Sequence, residues 1–147
     1  MPTTRISRKN RISVQYAVAR RGVPSAAALR RWAQLAARSP VNLRIVGQRE
    51  ARLLNRTFRK ERHATNVLTF ATGDIVLCHP VIAREARAQG KTLASHYAHL
   101  VIHGVLHLRG YEHERKRDAR RMEAREIALL RRIGVRDPYT VESARQA

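Results

Sequence analysis

TNVLTFATGDIVLC, residues 65–78, carries the clearest β signal in the chain. The run Thr65–Phe70 is rich in β-branched and aromatic side chains and reads as a strand. Thr72-Gly73 marks a turn, and Asp74–Cys78 reads as the next strand. Working upstream, residues 48–59 take helical spacing through Ala51, Leu54 and Phe58, and Val41, Leu43 and Ile45 alternate with Asn42 and Arg44 as a strand does. Before them, Pro24 is suited to open a helix at its first position. Leu29, Trp32, Ala33 and Ala36 fall on one face of it, until Ser39-Pro40 stops it. Ile12, Val14 and Tyr16 give one more alternating strand. Downstream everything is helical. Val81–Gln89 is closed by Gly90, a helix capped by Thr92 runs to Leu108 and ends at Gly110, and residues 116–133 run through Met122, Leu129 and Ile133 to Gly134. The order β-α-β-α-β-β-α-α-α predicts an α+β fold, one mixed sheet of about four strands packed with about five helices.

The length of 147 residues fits one domain, and 44% apolar content is enough for a core, which excludes wholesale disorder. Residues 1–10 read as a basic disordered arm and 11–147 as the domain. No stretch approaches the ~20 consecutive apolar residues of a membrane span, and the basic N-terminal segment lacks the apolar stretch of a secretory signal, so a cytoplasmic protein is expected. Cys78 is the only cysteine, which excludes an internal disulfide and any multi-cysteine zinc cluster; it reads as a buried strand residue. The net charge is +19, and 26 of the 30 basic residues are Arg. Residues 1–62 carry a net +14 against +5 for the rest. Such a field attracts polyanions, and the guanidinium fork matches phosphate oxygens, so a nucleic acid is the expected partner.

The seven histidines are His63, His79, His96, His99, His103, His107 and His113, four of them within residues 96–107. His103 and His107 are one helical turn apart and about 40° apart around the axis, so both rings reach one point. On a continuing helix His113 would project about 120° away from that row. Gly110 can take a left-handed conformation and turn the chain, which brings His113 back. Three imidazoles at this spacing, H-x3-H-x5-H, suit a tetrahedral zinc with an open fourth position. His99, one turn before His103, makes a rival pair with it, but only His107 is followed by a glycine break and a further His. His96 and His99 are expected to support the site or lie on the surface. Metzincin proteases share the ligand spacing but place a general-base Glu directly after the first His. That position is Gly104 here, so the metal site stands and the protease does not follow. Glu112, in the turn, is the remaining carboxylate nearby.

The segment HLVIHGVLHLRGYEHE, residues 99–114, resembles the signature of the YbeY family of bacterial zinc-dependent endoribonucleases. NRTFRKERHATNVLTF at 55–70, GDIVLCHPVIAREARAQGK at 73–91, HYAH at 96–99, Met122-Glu123-Ala124 and Asp137-Pro138-Tyr139 extend the likeness over residues 40–140. Glu112 stands where the family usually has Asp, Lys60 and Ala71 replace a common Gly and Pro, and the loop at 71–72 is shorter than in many members. The resemblance implies one Zn2+ per chain on His103, His107 and His113, and a functional arginine at Arg59. It further implies cleavage of single-stranded RNA, a role in maturation of small-subunit ribosomal RNA and in ribosome quality control, and partners such as the small ribosomal subunit and the GTPase Era.

Zinc on three neutral imidazoles lowers the pKa of bound water to about 7 or polarises a phosphoryl oxygen for attack by the RNA 2′-hydroxyl. Arg59 is then the candidate to stabilise the growing negative charge with a forked hydrogen-bond pair. His63, with a near-neutral pKa, is a candidate RNA contact, and Thr65 and Asn66 are candidates for fixing the strand beside the site. The rival reading is a non-catalytic RNA- or ribosome-binding assembly factor with a structural zinc. Structural zinc normally has four protein ligands, and the sequence offers no evident fourth.

Overall fold

The computed structural model describes residues 11–58 and 65–139. Ile12–Tyr16 (β1), Val41–Val46 (β2), Val67–Thr69 (β3) and Asp74–Cys78 (β4) form one sheet in the order β1-β2-β4-β3. β1, β2 and β4 are parallel, and β3 runs antiparallel to β4 at the edge. Five helices complete the fold: Ala26–Ala36 (α1), Gln48–Phe58 (α2), His79–Gln89 (α3), Leu93–Leu108 (α4) and Lys116–Arg131 (α5). The element order and mixed sheet are those expected from the sequence.

The alternation of the strands divides the apolar side chains between two cores. Leu43, Ile45, Ile75 and Leu77 face Leu29 and Trp32 of α1, Val101, Ile102 and Val105 of α4, and Leu129 and Leu130 of α5. On the opposite face Val46, Leu68, Val76 and Cys78 meet Ala51 of α2 and Val81 of α3. Cys78 is buried as expected. α4 is apolar around most of its circumference, because it is sandwiched between α1, α3, α5 and the sheet, and a helix that is apolar on most sides is a buried one.

Several boundaries move, among them the end of α5, which stops at Arg131 rather than at residue 133. α1 begins one residue beyond Ser25, whose Oγ accepts the Ala28 N–H, so Pro24 lies before the cap rather than at the first helical position. β3 spans only Val67–Thr69, shorter than the β-branched and aromatic run 65–70, although at its two ends Cys78 N–H donates to Asn66 O and Phe70 N–H to Asp74 O, each at 2.9 Å. α3 starts two residues before Val81, with Pro80 in its first turn. Thr92 caps α4 as expected, its Oγ1 accepting the Ser95 N–H at 3.0 Å.

Gly104 sets the distance between α4 and the sheet. A Cβ there would stand 3.1 Å from Ile75 Cγ2 and 3.2 Å from Thr69 Oγ1. The glycine in the protease base position is thus a packing residue that brings the histidine-bearing helix close to β3 and β4. Gly104→Val is expected to lower stability by about 3 kcal/mol through overpacking, measured by denaturant unfolding. A loss below about 1 kcal/mol would show that the contact is slack.

Candidate metal centre

His103 and His107 occupy the last two turns of α4. The helix then stops in a paired-bond cap: Tyr111 N–H donates to Leu106 O at 3.0 Å and Gly110 N–H to His107 O at 3.0 Å, with Gly110 at φ 94°. The reversal returns His113 to the end of the helix. Ring centroids lie 4.7 Å apart for His103–His107, 4.9 Å for His107–His113 and 5.6 Å for His103–His113. One ligand nitrogen from each ring falls within 4.8 Å of the other two.

The donor set fits a metal ion. Two nitrogens bound at about 2.0–2.1 Å to one tetrahedral zinc stand about 3.3–3.4 Å apart. The Nε2 atoms of His103 and His107 are 3.2 Å apart. His103 Nδ1 lies 2.7 Å from Glu126 Oε2, and Glu126 is held well below the ordinary carboxyl range, so the nitrogen is the donor. With Nδ1 engaged by Glu126, Nε2 is the His103 nitrogen turned toward its neighbours, and it is the one that the neutral ring would offer to a metal. Burial, then the neighbouring His103 and His113, push His107 down to about 4, against a hydrogen bond with the Tyr111 backbone that favours its proton. His107 is therefore neutral at pH 7 and able to present a lone pair.

The three histidines open onto a cleft of about 680 Å³, lined across from them by Val67–Thr69 of β3 and by Asn55 and Asn66. Glu112 and His113 sit exposed at its rim. The model for the family Endoribonuclease YbeY matches residues 7–134, most of the chain. The chain belongs to the YbeY family. It is 46% identical over 140 residues to Endoribonuclease YbeY of Nitrosomonas europaea, covering 89% of this chain and 85% of that protein. With the Bordetella pertussis protein of the same name the identity is 50% over 149 residues, covering 87% and 94%. A solution structure of a Thermotoga maritima protein matches with a TM-score of 0.50 at 23% identity, covering 81% of this chain and 89% of that one, which supports the fold alone.

Beneath the YbeY-family histidines lies a buried network that the sequence did not reveal. Glu126 of α5 is 0% exposed. Its Oε2 accepts from His103 Nδ1, and its Oε1 accepts from His99 Nε2 at 2.8 Å and from the Tyr139 hydroxyl. Burial alone would raise its pKa, but the hydrogen bonds from His103 and His99 outweigh that and bring it to about 2. His99, the rival partner of His103, is therefore a support rather than a surface group. His99, His103 and Glu126 also lie close enough to form a second group of metal-ligand type. Their facing atoms already share hydrogen bonds, and Glu126 has no access to solvent, so the open trio is the better candidate.

His96 is buried and its Nε2 lies 2.9 Å from Glu85 Oε1. Asn66 donates from the cleft to the same oxygen at 3.0 Å, so the chain leading into β3 is tied to α3 and, through His96, to α4. This is the supporting role anticipated for Asn66. His79 pairs with the fully buried Tyr97 hydroxyl at 2.7 Å, away from the cleft. Arg59 and His63 lie outside the described residues, as does the 1–10 arm. Among the described residues no helix is long and apolar enough to cross a membrane.

Proposed function

We propose that this chain is a zinc-dependent, single-strand-specific endoribonuclease acting in maturation of small-subunit ribosomal RNA and in ribosome quality control. The observation that carries the reading is the trio His103, His107 and His113 at the mouth of an open cleft in a YbeY-family chain. One Zn2+ per chain on these three nitrogens matches the donor type and spacing. When bound there, the ion supplies Lewis acidity, drawing the pKa of a coordinated water to about 7. The protein's own part is to hold His103 in one tautomer through Glu126, to keep His107 neutral, and to leave the cleft side uncovered for RNA. The relatives named Endoribonuclease YbeY support RNA as the substrate. The small ribosomal subunit and the GTPase Era are the partners proposed on the family's account, and a cytoplasmic location goes with them.

Arg59 is proposed to stabilise the negative charge that builds on the phosphoryl oxygens, and His63 to contact RNA. Support for Arg59 is positional: it follows directly on α2, whose Asn55 lines the cleft. Arg59→Ala is expected to keep zinc and fold while cleavage falls about 10²–10³-fold, the cost of removing one charge-stabilising donor. Unchanged cleavage would remove Arg59 from the reaction.

The function is tested with a labelled single-stranded RNA and a casein control, each with and without chelator. Chelator-sensitive RNA cleavage, absent from His107→Ala protein, is the expected result. RNA binding without cleavage would favour the assembly-factor reading, and casein cleavage the protease.

A further inference from the structure

A second groove, of about 540 Å³, adjoins the histidine cleft on the other side of the turn at 108–112. Leu108 and Glu112 line both, so the two flank the same turn. Its walls come from three parts of the chain: Arg38 and Ser39 after α1, Arg109 and Tyr111 in the turn, and Arg121 of α5. The Arg109 guanidinium carbon lies 5.4 Å from the centroid of the Tyr111 ring and that of Arg121 lies 5.8 Å from it. Arg109 is oriented by a hydrogen bond from Nη1 to Ala36 O at 3.1 Å.

Glu112 and Asp118 also line this groove, yet among the described residues no ion pair joins either of them to Arg38, Arg109 or Arg121. Like charges held together without carboxylate partners are stabilised by an anion between them. Guanidinium planes and an aromatic ring are also surfaces on which unstacked bases lie, and the combination of stacking platform and positive groove is how single strands are held without sequence preference.

We propose that the groove formed by Arg38, Arg109, Tyr111 and Arg121 is a second nucleotide subsite, which holds the backbone phosphates and a base of single-stranded RNA beyond the point of cleavage. It rests on the proposed RNA substrate and adds a path for it: a strand seated in the histidine cleft continues over the 108–112 turn into the groove. Arg38 and Arg121 take phosphates, and the Arg109–Tyr111 pair takes a base. Substrate length, rather than base identity, then governs affinity.

The test measures binding of metal-loaded protein to 2′-O-methyl single strands of about three and about 12 nucleotides, chosen to fill one groove or both. The longer strand is expected to bind at least about tenfold tighter, and Arg38→Gln/Arg121→Gln protein to lose that advantage. The slope of log affinity against log salt for the longer strand should fall by about 1.4, from two lost phosphate contacts. Arg20→Gln/Arg87→Gln protein removes the same charge from exposed sites elsewhere and is expected to keep the advantage. The proposal is overturned if the groove variant binds the longer strand like the parent, if the control variant loses as much, or if a duplex of equal length shows the same advantage. Because binding is read on strands that need not be cut, a chain that binds this way and never cleaves RNA defeats the endoribonuclease reading and leaves the subsite standing.

Discussion

His107→Ala protein is expected to leave purification in zinc-containing buffer with far less than one equivalent of the metal and with no chelator-sensitive RNA cleavage. The substitution removes the ring that stands between the other two, 4.7 Å from His103 and 4.9 Å from His113, and leaves two nitrogens that belong to different segments of the chain. Loss of a supporting group alone typically costs 10–100-fold in metal affinity, so loss of a direct ligand should exceed about 100-fold. The fold should survive. His107 is half-buried on the cleft side of α4, and Ala is the better helix former. His113→Ala is expected to behave in the same way. Together the two variants separate the candidate groups, since His99, His103 and Glu126 remain intact in both. One equivalent of zinc retained by both variants would move the metal to the buried group and overturn the open-site assignment.

The features that proved legible in the sequence are local ones. The pair His103 and His107 follows from helical period, and the return of His113 from a glycine that can adopt positive φ. Both depend on residues within one turn of the helix end, and the structure brings all three rings together as that reasoning requires. The strands were legible in kind but not in extent. Thr65–Phe70 has strand composition throughout, yet β3 itself spans only Val67–Thr69, with Asn66 and Phe70 tied to β4 by hydrogen bonds at its ends, and composition does not say where a ladder gives way to a turn. Glu126 was missed because it lies 23 residues from His103, and the two meet only through the way α5 docks on α4. One signal was present. Met122, Glu126, Leu129 and Leu130 follow a single helical stripe and are all buried, so a carboxylate occupies a position where the period calls for an apolar residue. A charge on such a stripe implies partners elsewhere in the fold, since an unpaired buried charge is strongly destabilising.

Those partners make Glu126 the most sensitive position outside the histidine trio. Glu126→Ala is expected to destabilise the metal-free protein by about 3–5 kcal/mol, the cost of breaking a buried charge-assisted network from one side. The His103, His99 and Tyr139 donors would all lose their acceptor in a space closed to water. Glu126→Gln separates stability from metal affinity. The amide keeps the shape and one acceptor oxygen but offers N–H groups where the second oxygen was. If the amide nitrogen faces His103 Nδ1, that ring must shift its proton to Nε2, which blocks the atom aimed at the metal. If it faces the other way, His99 and Tyr139 lose their acceptor while His103 keeps its tautomer. The oxygen shared by His99 and Tyr139 receives two donors and the other only one, so the nitrogen is expected to turn toward His103. Zinc affinity in the Gln variant should then fall 10–100-fold, with a smaller loss of stability than in the Ala variant. Competition with a chromophoric chelator measures the first quantity, and denaturant unfolding of the metal-free chain the second. A Gln variant that binds zinc like the parent would show that Glu126 holds α5 against α4 without setting the tautomer of His103.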